Sequence, residues 1–247
     1  MQRIAAALLV LISGVFTVAH AQDAEESPWS GDTTLGYLKS TGNTDDSTAD
    51  FDFNVAYTTK PWVHELRGRA FGTSSDNSTT AESYQLAWKS TYDLSDVDYL
   101  FGGLAWNKDR FSGFTRQTFA STGYGRRLLN DETFTLNVEV GVGYTKQRTN
   151  PDETLPNPEP AETQDNASGT LGGDFTWNIS ENAAFEQNFY LFVTSDNNFL
   201  QSVSKLTSNI TGGIGLALSY TVRKNSDVPA GSDKTDTLTS IGLNYSF

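Results

Sequence analysis

The sequence contains no cysteine, which excludes a disulfide framework, thiol catalysis, thiolate metal sites and a lipoprotein anchor behind the leader. Histidine is almost as scarce, with two in the chain. One of them lies in the N-terminal leader, so His64 is the sole imidazole left for the body of the protein. Long apolar runs are also missing. Beyond Val18 nothing approaches the ~20 apolar residues that a membrane-spanning helix needs. Basic residues are outnumbered, 17 against 30 acidic, for a net charge of −13. That balance argues against electrostatic binding of nucleic acid, and no such partner is expected.

What is present first sets the compartment. Arg3 supplies a short basic region, Ile4 to Val18 are apolar or small, and Ala19-His20-Ala21 offers small residues at the positions that a signal peptidase reads. Residues 1–21 are therefore expected to be a cleaved signal peptide and residues 22–28 a short tail. The remaining segment, 29–247, is long enough for one large all-β domain. It combines 15 Phe, 10 Tyr and 5 Trp with abundant Gly, Ser, Thr and Asn, a mixture that suits an apolar outer skin around a polar interior.

The periodicity is that of β-strands. Phe134, Leu136, Val138, Val140, Val142 and Tyr144 alternate with Thr135, Asn137, Glu139, Gly141 and Gly143. A period of two sends the two sets to opposite faces. The same pattern recurs at Phe51–Tyr57, Tyr84–Tyr92, Phe185–Val193 and Ile214–Val222. Strands are expected near 29–40, 46–59, 62–73, 81–92, 98–109, 114–127, 132–147, 167–178, 183–195, 199–210, 213–224 and 235–247. The sixth alternates poorly. Thr211-Gly212-Gly213 splits what would otherwise read as one long strand, because glycine supplies the positive φ of a tight turn. Strand length, aromatics near strand ends and the export signal favour a transmembrane antiparallel up-and-down β-barrel of twelve strands over a soluble sandwich, with ten as the alternative count. Twelve strands starting from the periplasm put short turns at Lys60-Pro61, Leu94–Val97, Leu129–Asp131, Ile179–Asn182 and Gly212-Gly213. The longer connections Ser74–Thr80, Asp109–Gly113, Arg148–Asn166 and Asn225–Lys234 then fall on the outer side.

The last residues, Ile241, Leu243, Tyr245 and Phe247, alternate and end on an aromatic. They are expected to act as the signal that outer-membrane assembly machinery reads during biogenesis. The implied location is the outer membrane of a Gram-negative cell, after export to the periplasm, with membrane lipids as the lasting partner.

Two segments carry a family resemblance. Gly36-Tyr37-Leu38-Lys39-Ser40-Thr41-Gly42-Asn43-Thr44 resembles the opening strand and turn of domain-of-unknown-function family 481. Ser219–Arg223, Asn225–Pro229, Lys234–Thr237 and Tyr245-Ser246-Phe247 are similar to its ending. The resemblance covers Trp29 to Phe247 and departs at Asn150–Asp165, which reads as an insertion. It implies an outer-membrane barrel, often labelled salt-induced, and no established activity.

Motifs for chemistry are sparse, and no enzyme activity is expected. By parity His64 shares the face of Trp62 and Leu66, towards lipid, where it is badly placed for a Ser–His–acid hydrolase. The Gly123/Gly125 and Gly141/Gly143 pairs lie inside strands, not at a strand-to-helix turn, so they ease crowding rather than bind a dinucleotide. The acidic, Pro-rich stretch Asn150–Asp165 has no ligand spacing for Ca²⁺, and no metal or cofactor is expected. The lumen is more informative. Asp50 and Asp52 on the second strand and Arg67 and Arg69 on the third face inward, and a parity-preserving register brings them together, with Asp52 and Arg69 close to direct pairing. Lys89, Glu139, Asp174, Glu186 and Lys205 are expected inside as well. A charged, largely filled lumen suits a structural or salt-stress envelope protein. The alternative is a narrow channel for ions or small polar solutes.

Overall fold

The computed structural model describes residues 27–40, 46–76, 78–151, 155–156 and 160–247. The leader, the Thr41-Gly42-Asn43-Thr44 turn and parts of the acidic loop lie outside the described residues. Twelve antiparallel strands form one closed barrel, each paired with its sequence neighbours and the last with the first. They are β1 (Trp29–Ser40), β2 (Asp46–Thr59), β3 (Trp62–Ser75), β4 (Ser78–Asp93), β5 (Asp98–Asp109), β6 (Phe114–Asn130), β7 (Phe134–Thr149), β8 (Thr163–Ser180), β9 (Ala183–Val193), β10 (Phe199–Thr211), β11 (Ile214–Asn225) and β12 (Thr235–Ser246).

Alternation explains which side each residue takes. Leu86, Trp88, Leu104, Val138, Val140, Val142, Leu171, Leu216, Leu218, Ile241 and Leu243 form an exposed apolar outer skin. Their intervening neighbours point into the lumen. A soluble protein would bury such residues; a barrel in lipid presents them outward. One rim of the skin is aromatic. Trp29 packs on Tyr57 (centroids 4.7 Å apart), Trp62 on Tyr92 (4.9 Å), Phe134 on Trp177 (6.1 Å) and Tyr245 on Phe247 (6.1 Å). These residues lie at the rim of the short turns, where ring edges meet the membrane–water boundary.

That rim holds the connections 60–61, 94–97, 131–133, 181–182 and 212–213, while the other holds 110–113, 150–162, 194–198 and 226–234. Gly212 and Gly213 adopt φ of 55° and 78°, the conformation that glycine tolerates without strain. Two expected loops are shorter than the sequence reading gave. Ser74–Thr80 is mostly strand, since β3 runs to Ser75 and β4 starts at Ser78, and β8 begins at Thr163 rather than at residue 167. Hydrophobic alternation fades where both faces of a hairpin are polar, but the backbone ladder continues regardless of side chains. Hydroxyl pairs extend it there: Ser47 with Ser74 at 2.8 Å and Thr73 with Thr80 at 2.7 Å.

The poor alternation of β6 also has a physical cause. Phe119 points into the lumen and is 1% exposed, while Thr118 and Thr122 take the opposite parity, towards the skin. Apolar-out and polar-in is reversed there, and the pairing with β7 shifts register between Phe114 and Arg116 and between Arg127 and Leu129.

Candidate functional site

The inward face is a polar interior held together across its own width. Arg69 donates through Nε to Asp50 Oδ1 at 2.9 Å, and the two side chains are 8% and 3% exposed. Its other nitrogens reach Thr221 at 2.8 Å and Ser240 at 3.3 Å, on β11 and β12. Asp52 is the direct cross-strand neighbour of Arg69 in the register, but the guanidinium turns diagonally to Asp50. The expected Asp52–Arg69 pairing is thus corrected to Asp50–Arg69. There the planar fork takes both carboxylate oxygens, Nε to Oδ1 at 2.9 Å and Nη2 to Oδ2 at 3.3 Å, the bidentate geometry that suits a guanidinium. Nor does Arg67 pair with either aspartate. It bonds Glu65 on its own strand at 2.8 and 2.9 Å and reaches Asn188 on β9 at 3.2 Å.

Arg67 is one end of a chain of contacts around the lower lumen. Asn188 donates to Asp174 at 3.1 Å. Lys89 lies 3.5 Å from Asp174 and 2.5 Å from Glu139. Glu139 accepts from the Tyr99 hydroxyl at 2.8 Å. The Arg127 guanidinium sits over the Tyr99 ring, 4.9 Å from its centroid, and bonds Asp93 at 2.6 Å. Lys205 bonds Asp32 on β1, and Asn244 donates to the same carboxylate at 3.2 Å. Charges removed from bulk water need such partners, because an unpaired one is costly.

Nearer the loop rim, Arg223 on β11 reaches Ser83 at 3.0 Å and Asp109 at 3.4 Å. With the Gln85 amide turned so that its oxygen faces Arg223, it accepts at 2.8 and 3.1 Å. Above this level lies an aromatic cluster of Phe119, Phe192 and Phe199 with Tyr190, its rings 4.6 to 4.9 Å apart about Phe119. Four amides close the top. Gln117 donates to Gln147 at 2.9 Å and to Asn225 at 3.1 Å, and Asn197 donates to the same two acceptors at 2.9 and 2.8 Å. Asn197 belongs to the 194–198 loop, folds inward and is 1% exposed. None of these upper residues stood out in the sequence. Neutral amides carry no charge signature, and inward phenylalanines read as faults in alternation rather than as a plug.

Contacts between opposite walls define the geometry. Arg67–Asn188 joins β3 to β9, Arg223–Asp109 joins β11 to β5, and the Gln85 and Gln201 amides of β4 and β10 meet at 3.0 Å. Each pair of strands is six places apart in the closed order of twelve, which is diametrically opposite. At two levels, that of Arg67–Asn188 and that of the linked Gln85, Gln201, Arg223 and Asp109, the lumen is spanned by side chains in direct contact.

On the outer face, Ile241, Leu243, Tyr245 and Phe247 are exposed. The Phe247 backbone pairs with Gly31 in both directions, at 3.0 and 2.9 Å. His64 faces the skin as parity requires, and it has a hydroxyl beside it. Its Nδ1 hydrogen-bonds Ser90 Oγ, because the two are cross-strand partners. Its ring stacks with Trp62 and Trp88, with centroids at 5.8 and 6.5 Å. Among the described residues no carboxylate bonds His64, so the pair lacks the acid of a hydrolytic triad.

Solved structures share this architecture. The NanC porin is 12% identical with a TM-score of 0.50, over 87% of this chain and 98% of its own. The translocator domain of the autotransporter NalP from Neisseria meningitidis is 14% identical with a TM-score of 0.47, over 100% and 96%. The first is a likeness of fold alone, and the second is too distant to add to it. Sequence relatives reach further. The uncharacterized protein YdiY of Escherichia coli (strain K12) is 32% identical over 235 residues, 94% of this chain and 88% of that protein. The family model described as "Protein of unknown function, DUF481" matches residues 33–247, nearly the whole barrel. With the family model matched over residues 33–247 and a relative 32% identical over most of both chains, the chain belongs to the DUF481 family.

Proposed function

We propose that this protein is an integral outer-membrane barrel whose lumen is closed by its own side chains, and that it serves as a structural, stress-responsive part of the envelope rather than as an open pore. The observation that carries this reading is the set of direct contacts between diametrically opposed strands: Arg67 with Asn188, Gln85 with Gln201 and Arg223 with Asp109. A solute pathway needs space along the axis; the first contact obstructs it at one depth, and the other two, joined through Gln85 and Arg223, obstruct it at another. The aromatic cluster and the amide quartet add apolar and polar closures above them. Outer-membrane placement is supported by the apolar skin, the aromatic rim and the signal-like leader, with the short turns towards the periplasm. The link to salt stress rests on the family resemblance; protein abundance in cells grown at low and high salt tests it, and equal abundance removes it.

The test of the closed lumen is planar-bilayer recording of the refolded, heat-modifiable protein. The wild type should give conductance near background. Arg67→Ala combined with Gln85→Ala and Arg223→Ala should raise it, because all three cross-lumen contacts are lost. A steady wild-type conductance would overturn the closed reading in favour of a narrow channel.

A further inference from the structure

On the wall of β3 to β6 the outer skin is interrupted. On neighbouring strands the register aligns His64 with Ser90, Ser90 with Gly102, and Gly102 with Thr122. The row on the turn side is Trp62, Tyr92, Leu100 and Tyr124, and the row on the other side is Leu66, Trp88, Leu104 and Ala120. Between two apolar rows therefore runs a short polar one. At its centre is a hollow of about 470 Å³ lined by Trp62, Trp88, Ser90, Tyr92, Leu100 and Gly102, among others. A Cβ built on Gly102 meets nothing within 4 Å, so the missing side chain is what opens the space. The hollow is shallow and open to the surrounding medium, with mainly apolar walls and a few polar groups.

The polar groups at this depth are selectively satisfied. Thr122 Oγ1 is tied to the Phe101 carbonyl at 2.8 Å. Ser90 is 8% exposed and bonds His64. When His64 carries its proton on Nδ1 it donates to Ser90 Oγ, which leaves the serine hydroxyl free to donate into the hollow. A hydroxyl in apolar surroundings gains from a carbonyl acceptor. The row sits one step inside the aromatic rim, and the exposed Lys60 lies in the turn just before Trp62.

We propose that this hollow holds one glycerophospholipid of the periplasmic leaflet. An acyl chain fills the space over Gly102 between Trp88 and Leu100, an ester carbonyl accepts from Ser90, and the phosphate faces Lys60. The inference rests on the outer-membrane reading above, since lipid is then the medium that bathes this face. Binding rather than hydrolysis follows from the surroundings of Ser90. It lies within β4, paired on both sides with β3 and β5, so its backbone amide is engaged in the ladder and supplies no oxyanion donor.

Native mass spectrometry of the full-length protein, purified in detergent and given phosphatidylglycerol, tests the site. The wild type should retain one phospholipid after the detergent is stripped. Gly102→Leu fills the hollow and should lower the retained fraction about tenfold, and Ser90→Ala about threefold. Val140→Leu, on the skin of β7, should leave it unchanged. Heat-modifiable migration of each variant separates loss of the site from loss of the barrel. Equal retention by wild type and Gly102→Leu would overturn the proposal, as would a folded wild type that retains no lipid. Lysophospholipid formed by the wild type but not by Ser90→Ala would overturn it in favour of a hydrolase. A wild type that is not heat-modifiable would overturn the barrel reading and the site with it.

Discussion

On two facing walls, β3–β4 and β10–β11, the inward positions carry Arg67, Arg69, Gln85, Lys89, Gln201, Lys205 and Arg223. On β6 to β8 the corresponding face carries Gly123, Gly125, Gly141, Gly143, Ser168 and Thr170. The first two walls reach, and the third receives. An added Cβ on Gly125 would lie 2.2 Å from the Tyr99 ring, and one on Gly123 2.2 Å from the Val140 carbonyl oxygen. Glycine is needed because a ring from β5 in the first case, and the β7 backbone in the second, occupies the space that a side chain would take. The walls also differ in how their polar atoms end. Arg69 and Arg223 find several partners each, whereas the Oγ atoms of Thr145, Ser168 and Thr170 are buried without a partner. A narrow barrel is thus filled largely from two facing walls, with the small polar residues of β7 and β8 left to fit around the filling.

The largest expected effect breaks one reaching wall. Arg69→Ala strands the Asp50 carboxylate in the lumen and should cost about 3–5 kcal/mol, read as a shift of the urea midpoint of the folded barrel in micelles. Adding Asp50→Leu should recover much of that loss, because both charges are then gone. If the two substitutions are simply additive, the pair is not coupled.

An intermediate effect belongs to the receiving wall. At Gly141 a Cβ would sit 2.4 Å from the Thr122 carbonyl oxygen, and backbone yields less readily than a flexible side chain. Gly141→Ala should therefore cost about 1–3 kcal/mol by overpacking. A midpoint equal to that of the wild type would show that the wall has spare room and would weaken the contrast between the walls.

The smallest effect has the opposite sign. Thr145 is fully buried, and its hydroxyl has no partner. Thr145→Val keeps the shape and removes the orphan oxygen, so stability should rise by about 1 kcal/mol. A clear loss of stability would mean that the hydroxyl is satisfied in the membrane-embedded protein.

The strands were legible because alternation on a barrel has a single cause: lipid on one face and lumen on the other. Val138, Val140 and Val142 against Glu139, Gly141 and Gly143 leave no second interpretation, and Gly212-Gly213 marks its turn unaided. The lumen was legible only as a list of charges. Which carboxylate Arg69 takes depends on the shape of the guanidinium and on strand tilt, neither of which is a property of the sequence pattern. Long-range partners such as Asn188 for Arg67 depend on which strands face each other across the barrel, and closure has to be known first. His64 was placed on the correct face, but its bond to Ser90 needed the register between β3 and β4. The amide quartet left no trace, since Gln and Asn are as common in exposed hairpins as in a closed lumen.

The closure between β1 and β12 carries one more consequence. These strands pair over Gly31–Leu35 with Leu243–Phe247, whereas β1 pairs with β2 along its whole length from Trp29 to Ser40. Beyond that stretch the two backbones approach over glycine: a Cβ on Gly242 would lie 2.6 Å from the Leu35 carbonyl oxygen, and one on Gly36 2.7 Å from that of Ile241. The circumference therefore has a zip with few teeth. If it parts, the cylinder becomes a ribbon with two raw margins, and in hydrocarbon there is no water to quench their amides. A second ribbon is the natural patch, so the short zip is where exchange of strands between copies would begin.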